Sequence, residues 1–237
     1  MMSSLHVARA KKYLIVLFMI TISTYNCQSS KRNVGGINML CNNSDIVFLQ
    51  EHWLFPSDLP SLNNIHPDFI SFGLSSMDPF TRLISGRPYG GVAVLWRKAL
   101  THLVKPVTYD ADRILGLEVY QGETKLLLLG VYLPYCTPPN FESYVYYLGK
   151  IKAIVDESDS PYVCVLGDFN ADIVKATEFG KELESFCVEL NPILLLRMHY
   201  ISVLTQRLML MMAMVRRPGL TISFVRKPFS KSLKTSA

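Results

Sequence analysis

Acidic side chains are missing from both ends of this 237-residue chain. All 19 Asp and Glu lie between Asp45 and Glu189, whereas the first 44 residues and the last 48 carry Lys and Arg but no acid. The formal charge of +5 is therefore a property of the ends, since five bases precede Asp45 and eight follow Glu189. The stretch between is net acidic, which removes the overall charge as evidence for a basic nucleic-acid stripe. Cysteine is scattered: Cys27, Cys41, Cys136, Cys164 and Cys187 form no CxxC pair, and no His stands at metal-ligand spacing. That pattern argues against zinc. An odd number of thiols points to reduced, mostly buried cysteines in an intracellular protein, the nucleus included, rather than to a disulfide framework.

No apolar run is long enough to span a bilayer. The run Tyr13 to Ile22, preceded by Arg9, Lys11 and Lys12, has the layout of a secretory signal and equally that of a buried strand. The strand is preferred, because Ile22-Ser-Thr-Tyr-Asn26 leads directly into polar chemistry. An interior strand over about Leu14 to Thr24 is the expectation, and a signal peptide would be the only link to a membrane.

From Ile37 onward short apolar strands alternate with helical stretches. Val34 to Cys41 suits a short helix, and Asp45 to Glu51 suits a buried strand with polar residues at its end. A loop rich in Pro, Ser and Asn runs to about Asp78. Gly90 to Trp96, Ile114 to Tyr120 and Lys125 to Tyr132 read as strands, the last two joined by a hairpin through Gln121-Gly-Glu-Thr124. Phe141 to Glu157 reads as an amphipathic helix, with Tyr144, Leu148 and Ile151 on its apolar face. Tyr162 to Leu166 is a strand that ends on Gly167-Asp168-Phe169-Asn170. Hairpins mixed with crossover helices give a layered α/β class.

Three polar clusters stand at strand ends: Tyr25-Asn26, Gln50-Glu51 and Gly167-Asp168-Phe169-Asn170. Strand ends are rigid, and carboxylates and carboxamides converging there can hold a hard cation through oxygen. Taken singly, each cluster is more often a solvated terminus or a turn. Taken in order, with Gly90-Gly91-Val92 and Val131-Tyr132-Leu133-Pro134, they resemble the endonuclease/exonuclease/phosphatase superfamily over most of the chain. The wording Gln50-Glu-His-Trp-Leu54 is similar to the endonuclease of LINE-type (non-LTR) retrotransposons.

The resemblance implies a four-layered α/β sandwich, incomplete at its C-terminal end, and Mg²⁺- or Mn²⁺-dependent phosphodiester hydrolysis with DNA as substrate and no stable protein partner. It implies that Glu51 is the principal metal carboxylate and that Asn26 supports the metal or its water. Asp168 would orient or deprotonate the attacking water, Asn170 would hold a phosphate oxygen, and Tyr132 would hydrogen-bond the phosphate. The Glu51 and Asp168 carboxylates should then lie about 5–9 Å apart across one hydrated cation. His52 and Trp53 read as structural neighbours of the site. Tyr144, Tyr146 and Tyr147 read as helix core and face rather than as a stacking platform. Another phosphodiesterase or phosphatase of the same fold, or a non-catalytic remnant, remains as an alternative.

The family ends on an Asp-His pair in which His is the acid/base partner, and nothing after Glu189 supplies it. His199 is the only histidine there, with no Asp to pair with. Leu204 to Val215 could form a core helix or a membrane-surface helix. A shifted reading frame explains more. Pro218-Gly-Leu-Thr-Ile-Ser-Phe-Val225 can be encoded as CCT GGC TTG ACC ATA TCA TTT GTN, which from the third base of the Pro codon reads Trp-Leu-Asp-His-Ile-Ile-Cys. In the same frame Ala213 to Arg217 is compatible with His-Gly-Gln-Lys-Thr. The chain thus divides into a basic extension (1–12), a truncated domain (13–189) and an acid-free tail (190–237) that reads as out of frame and should pack poorly.

Overall fold

The computed structural model describes residues 20–77, 87–173 and 177–190, together with the backbone of 210–215. Period-two alternation in the apolar strands builds two sheets that face each other. The first contains β1 (Ile22–Asn26), β2 (Ile46–Gln50), β3 (Phe69–Leu74) and β4 (Val92–Arg97) in the order β1-β2-β4-β3. The second contains β5 (Val104–Thr108), β6 (Ile114–Gln121), β7 (Thr124–Tyr132), β8 (Tyr162–Asp168) and β9 (Leu210–Val215) in sequence order.

Each sheet is apolar on both faces because both are covered. From β2 and β4, Ile46, Phe48, Val92, Val94 and Trp96 point inward against Leu115, Leu117, Leu128, Cys164 and Leu166 of the second sheet. The Phe48 ring lies so close to β7 that a Cβ on Gly130 would fall 2.2 Å from its Cδ1. The alternate residues Val47, Leu49, Ala93 and Leu95 face outward against Ile37 and Cys41 of α1 (Val34–Asn43) and Leu62 of a 3₁₀ helix (Pro56–Asn64). On the far side Leu127, Leu129, Val163 and Val165 pack on α2 (Phe141–Glu157) and α3 (Glu178–Leu190). Helix, sheet, sheet and helix make four layers, the α/β sandwich expected.

Four expectations change. The N-terminal strand is described over Ile22–Asn26, and it sits at the edge of its sheet among the described residues rather than in the interior. Its one partner is β2, with Asn26 in register with Gln50. Residues 1–19 lie outside the described residues. The loop before Asp78 contains the 3₁₀ helix and β3, and β5 and α3 are additional elements. The backbone of 210–215, for which a helix is one reading and a poorly packed out-of-frame tail the preferred one, runs antiparallel to β8 with Gly167 opposite Leu210, so this part of the tail pairs with the sheet. Pairing an otherwise open sheet edge outweighs intrinsic propensity there. The rest of the acid-free tail, with His199 and the 218–225 motif region, lies outside the described residues. Among the described residues, no helix is long and apolar enough to cross a membrane.

Candidate active site

The parallel pair β1/β2 delivers Asn26 and Glu51 side by side, and β8 brings Asp168 from the other sheet. They meet at one nitrogen. Asn26 Nδ2 donates to Glu51 Oε1 at 2.6 Å and to Asp168 Oδ2 at 2.6 Å. The two accepting oxygens are therefore closer than twice that distance, at or below the lower limit of the separation expected. Because ionised carboxylates only accept, this arrangement also settles which end of the amide is nitrogen. The opposite end, Asn26 Oδ1, is buried without a hydrogen-bond partner.

Tyr132, at the end of β7 and paired with Asp168 in the parallel register, reaches the same place. Its hydroxyl donates to Glu51, and burial, followed by the charge of Glu51, pushes its phenol up to about 12. The Arg113 guanidinium lies 5.1 Å from the centre of the Tyr132 ring and opposes that shift. Asn170 closes the group: its backbone N–H donates to Asp168 Oδ1 at 3.0 Å, and its Nδ2 donates to the Leu133 carbonyl at 2.8 Å. A second Nδ2 hydrogen remains for another acceptor. Asn26, Glu51, Tyr132 and Asp168 thus converge directly, with Asn170 bound to Asp168 beside them.

The backbone here is unusual. Among the described residues five non-glycine positions have positive φ: Gln28 (44°), Ser29 (96°), Glu51 (56°), Trp53 (54°) and Asn170 (48°). All five directly follow the ends of β1, β2 and β8. Such conformations cost on the order of 1–3 kcal/mol each and concentrate at functional sites. Cross-links between the loops hold them: Ser29 N donates to the Glu51 carbonyl, Glu51 N to that of Gly91 and Trp53 N to that of Gly90. At the end of β8, Gly167 adopts φ 139°, and a Cβ there would fall 2.0 Å from the Val131 carbonyl oxygen. No side chain fits, which is the reason for the Gly in Gly167-Asp-Phe-Asn170.

Two neighbours are structural. Gln50 is fully buried, and its Nε2 donates to Thr24 Oγ1 at 3.0 Å. His52 is fully buried too. Its Nδ1 accepts from Leu54 N–H at 3.1 Å and its Nε2 lies 2.9 Å from the Leu74 carbonyl, so the ring is neutral with the proton on Nε2. Burial pulls it down to about 4. The ring fills the space over Gly91, where a Cβ would sit 2.3 Å from it. Tyr144 is core, Tyr146 is exposed on the face of α2, and Tyr147 donates to Asp112, as the helix reading expects.

Can these residues hold a divalent cation? Among the described residues no group of three or more His, Cys, Asp or Glu could hold a metal by itself. The pocket offers two carboxylates and one unpartnered amide oxygen, a hard donor set that suits Mg²⁺ or Mn²⁺ with water and phosphate completing the shell. The residues fit the group.

The sequence profile of the Endonuclease/Exonuclease/phosphatase family matches residues 23–176, a span that includes every residue of this cluster. The chain belongs to that family. Solved structures agree on the fold. The 3′ phosphatase NExo from Neisseria, bound to product DNA hairpin, is similar at 16% identity over 81% of this chain and 86% of its own, with a TM-score of 0.54. The AP endonuclease LMAP from Leishmania major is similar at 12% identity over 83% and 78%, with a TM-score of 0.59. The endonuclease domain of TRAS1, a telomere-specific non-LTR retrotransposon, matches at 18% identity over 70% of each chain, and its TM-score of 0.48 is too low to weigh on lineage. No curated protein matches the chain by sequence.

Proposed function

We propose that the chain is a divalent-metal-dependent phosphodiesterase module, a DNA endonuclease domain of retrotransposon origin that has lost its last catalytic segment. One observation carries the hydrolytic reading: a single amide, with its own oxygen unpartnered, bridges carboxylates delivered by two different sheets. Glu51 and Asn26 Oδ1 would hold Mg²⁺ or Mn²⁺, which when bound supplies Lewis-acid stabilisation of the charge building on the phosphate. Asp168 orients the attacking water and accepts its proton. The second amide hydrogen of Asn170 donates to a phosphate oxygen as charge develops there, and the Tyr132 hydroxyl, kept protonated by burial, turns its one hydrogen from Glu51 to the phosphate when substrate enters.

DNA as substrate and the retrotransposon lineage rest on the Gln50-Glu-His-Trp-Leu54 wording and the long loop before Gly90. Among the described residues no histidine is free for acid/base work at this pocket. His52 has both ring nitrogens engaged, His66 contacts Asn42 through Nε2 and Asp68 N–H through Nδ1, and His102 follows Arg97 at the end of β4 away from Gln50. The residues of β9 (Leu-Met-Met-Ala-Met-Val) offer no acid or base. The shifted frame supplies Trp-Leu-Asp-His within the acid-free stretch, so domain 13–189 followed by an out-of-frame tail 190–237 is the organisation that accounts for both features.

Plasmid nicking in Mg²⁺ tests this reading. The chain as given leaves supercoiled plasmid intact, and replacing the tail by its shifted-frame translation restores nicking that Glu51→Gln abolishes. Positioned acid/base groups are worth about 10²–10⁴-fold. Robust nicking by the unaltered chain, lost in Glu51→Gln, would show that a complete site exists without the Asp-His pair.

A further inference from the structure

Trp53 is a bulky residue held at φ 54°, a conformation that large side chains rarely tolerate. The strain fixes where its indole goes. Two residues beyond Glu51, the ring is only half-buried, and the Arg87 guanidinium lies over it at 4.3 Å from the centroid. Arg87 is itself exposed, and Tyr89 of the same short segment is 59% exposed. That segment is bound to the pocket. Gly91 and Gly90 accept from the backbone N–H groups of Glu51 and Trp53, and a Cβ on Gly90 would lie 3.7 Å from the Tyr132 ring. The Arg87–Trp53 pair therefore stands at the mouth of the cluster that Glu51, Asp168 and Tyr132 form.

A guanidinium stacked on an indole presents a flat, positively charged surface. The indole holds the cation by its quadrupole, and the outer face of the guanidinium is left for another π system. In a stretch that is net acidic, this is the feature of the pocket rim suited to both halves of a nucleotide, the base by stacking and the phosphate by charge. We propose that the Arg87–Trp53 stack is a platform for one unpaired nucleobase of the strand whose phosphate enters the Glu51–Asp168 pocket. The inference rests on the phosphodiesterase reading and adds to it a contact to single-stranded nucleic acid. A base paired inside a duplex has no free face to offer, so the platform prefers an unpaired nucleotide.

The chain contains two tryptophans. Trp96 is 5% exposed, with its Nε1 donating to Thr101, so a change of indole emission on adding nucleic acid reports Trp53. The experiment titrates the full chain, in EDTA to prevent cleavage, with a short oligothymidylate and with the same backbone made abasic. Emission and anisotropy are recorded together. Oligothymidylate quenches the indole and binds more tightly than the abasic strand, while Trp53→Ala weakens oligothymidylate binding roughly 5- to 150-fold, the worth of one stacked base. Trp53→Phe retains part of the affinity, and Arg87→Met, which keeps the stem but not the cation, lowers affinity for both strands. These two variants keep the test decisive if Trp53→Ala fails to fold. Equal binding of the two strands, or unchanged affinity in Trp53→Phe and Arg87→Met, overturns the platform and leaves the phosphodiesterase reading intact. Absence of binding to either strand overturns the platform together with the nucleic-acid assignment, while Glu51-dependent Mn²⁺ binding, measured separately, still stands or falls for the metal site.

Discussion

Replacing Asn26 by Asp changes one atom of the bridge from donor to acceptor and leaves its shape alone. Both 2.6 Å contacts from Nδ2 are lost. A hydrogen bond to a charged group is worth about 1.5–3 kcal/mol. Asn26 is half-buried and water can replace part of the loss, so the expected cost of losing the pair is about 3 kcal/mol. Asn26→Ala should show that cost alone, a fall in Tm of about 6–12 °C for a domain of this size. Asn26→Asp adds repulsion, since like charges at hydrogen-bonding range oppose each other by about 4 kcal/mol at an effective dielectric of 20. Uptake of a proton by the introduced carboxyl limits the penalty. In EDTA at neutral pH Asn26→Asp should therefore unfold below Asn26→Ala. The sign of the pH dependence follows. The introduced carboxyl binds its proton more readily folded than unfolded, so the penalty is complete above its raised folded value and fades as pH falls from there to the ordinary carboxylate range. Mg²⁺ or Mn²⁺ should reverse the order, because a third carboxylate is a better cation ligand than a methyl group. Thermal unfolding of the three proteins across pH, with and without metal, decides it. Equal stability of Asn26→Asp and the parent chain in EDTA at neutral pH would refute the bridge and the site built on it.

Gly91→Ala combines a positive φ of 86° with a Cβ 2.3 Å from the His52 ring, and should cost about 2–5 kcal/mol in urea unfolding. Truncating the ring in the double variant Gly91→Ala/His52→Ala should recover the steric part, visible as non-additivity in the cycle. Phe48→Ala empties the contact between the sheets over Gly130 and should cost about 3–5 kcal/mol, with no change in the unfolding slope. Burial pushes the Tyr109 phenol up to about 12, and burial raises Tyr144 and Tyr147 as well. A phenol raised in the folded state stabilises below its ordinary value of about 10 and loses that contribution as pH climbs through the folded value. The fold should therefore lose stability above about pH 10, with the phenolate absorbance of these three, taken by difference against their Phe variants, rising together with the loss of circular dichroism. Ionisation of these three near the ordinary value with the fold intact would contradict their burial.

The strands that position the site were legible because they alternate and end in polar residues, and α2 was legible from Tyr144, Leu148, Ile151 and Val155 at helical spacing. β3 and β5 were hidden for physical reasons. Phe69–Leu74 is broken by Ser71 and Gly73, and only Phe69 is fully covered at that sheet edge. Val104–Thr108 contains Pro106, tolerable because β5 is also an edge strand. α3 carried a usable signal in Phe179, Leu183, Phe186 and Cys187, masked by the change in composition that follows it. The site itself divides along the same line. Which side chains converge could be read from motif order, but no pattern of letters says that Glu51 and Trp53 adopt left-handed backbone or that Asn26 turns its nitrogen to both carboxylates. Those depend on contacts between loops distant in sequence, such as Glu51 N to Gly91 O.

The distribution of strain bears on the proposed loss of the last catalytic segment. Five left-handed residues, each costing on the order of 1–3 kcal/mol, stand at one end of the sandwich and orient Glu51, Asn170 and their neighbours. A scaffold without a site to serve could shed that cost by single substitutions at Trp53 or Ser29, since glycine there relieves it at once. The strained geometry is nevertheless complete, and so are the bridge, the neutral buried His52 behind it and Gly167 against the Val131 carbonyl. The polar chemistry stops only where the acids stop, after Glu189. A slow decay of the whole domain would scatter damage through the loops. A change of frame after Glu189, as proposed, would instead leave the strained pocket whole and remove only what the tail once supplied.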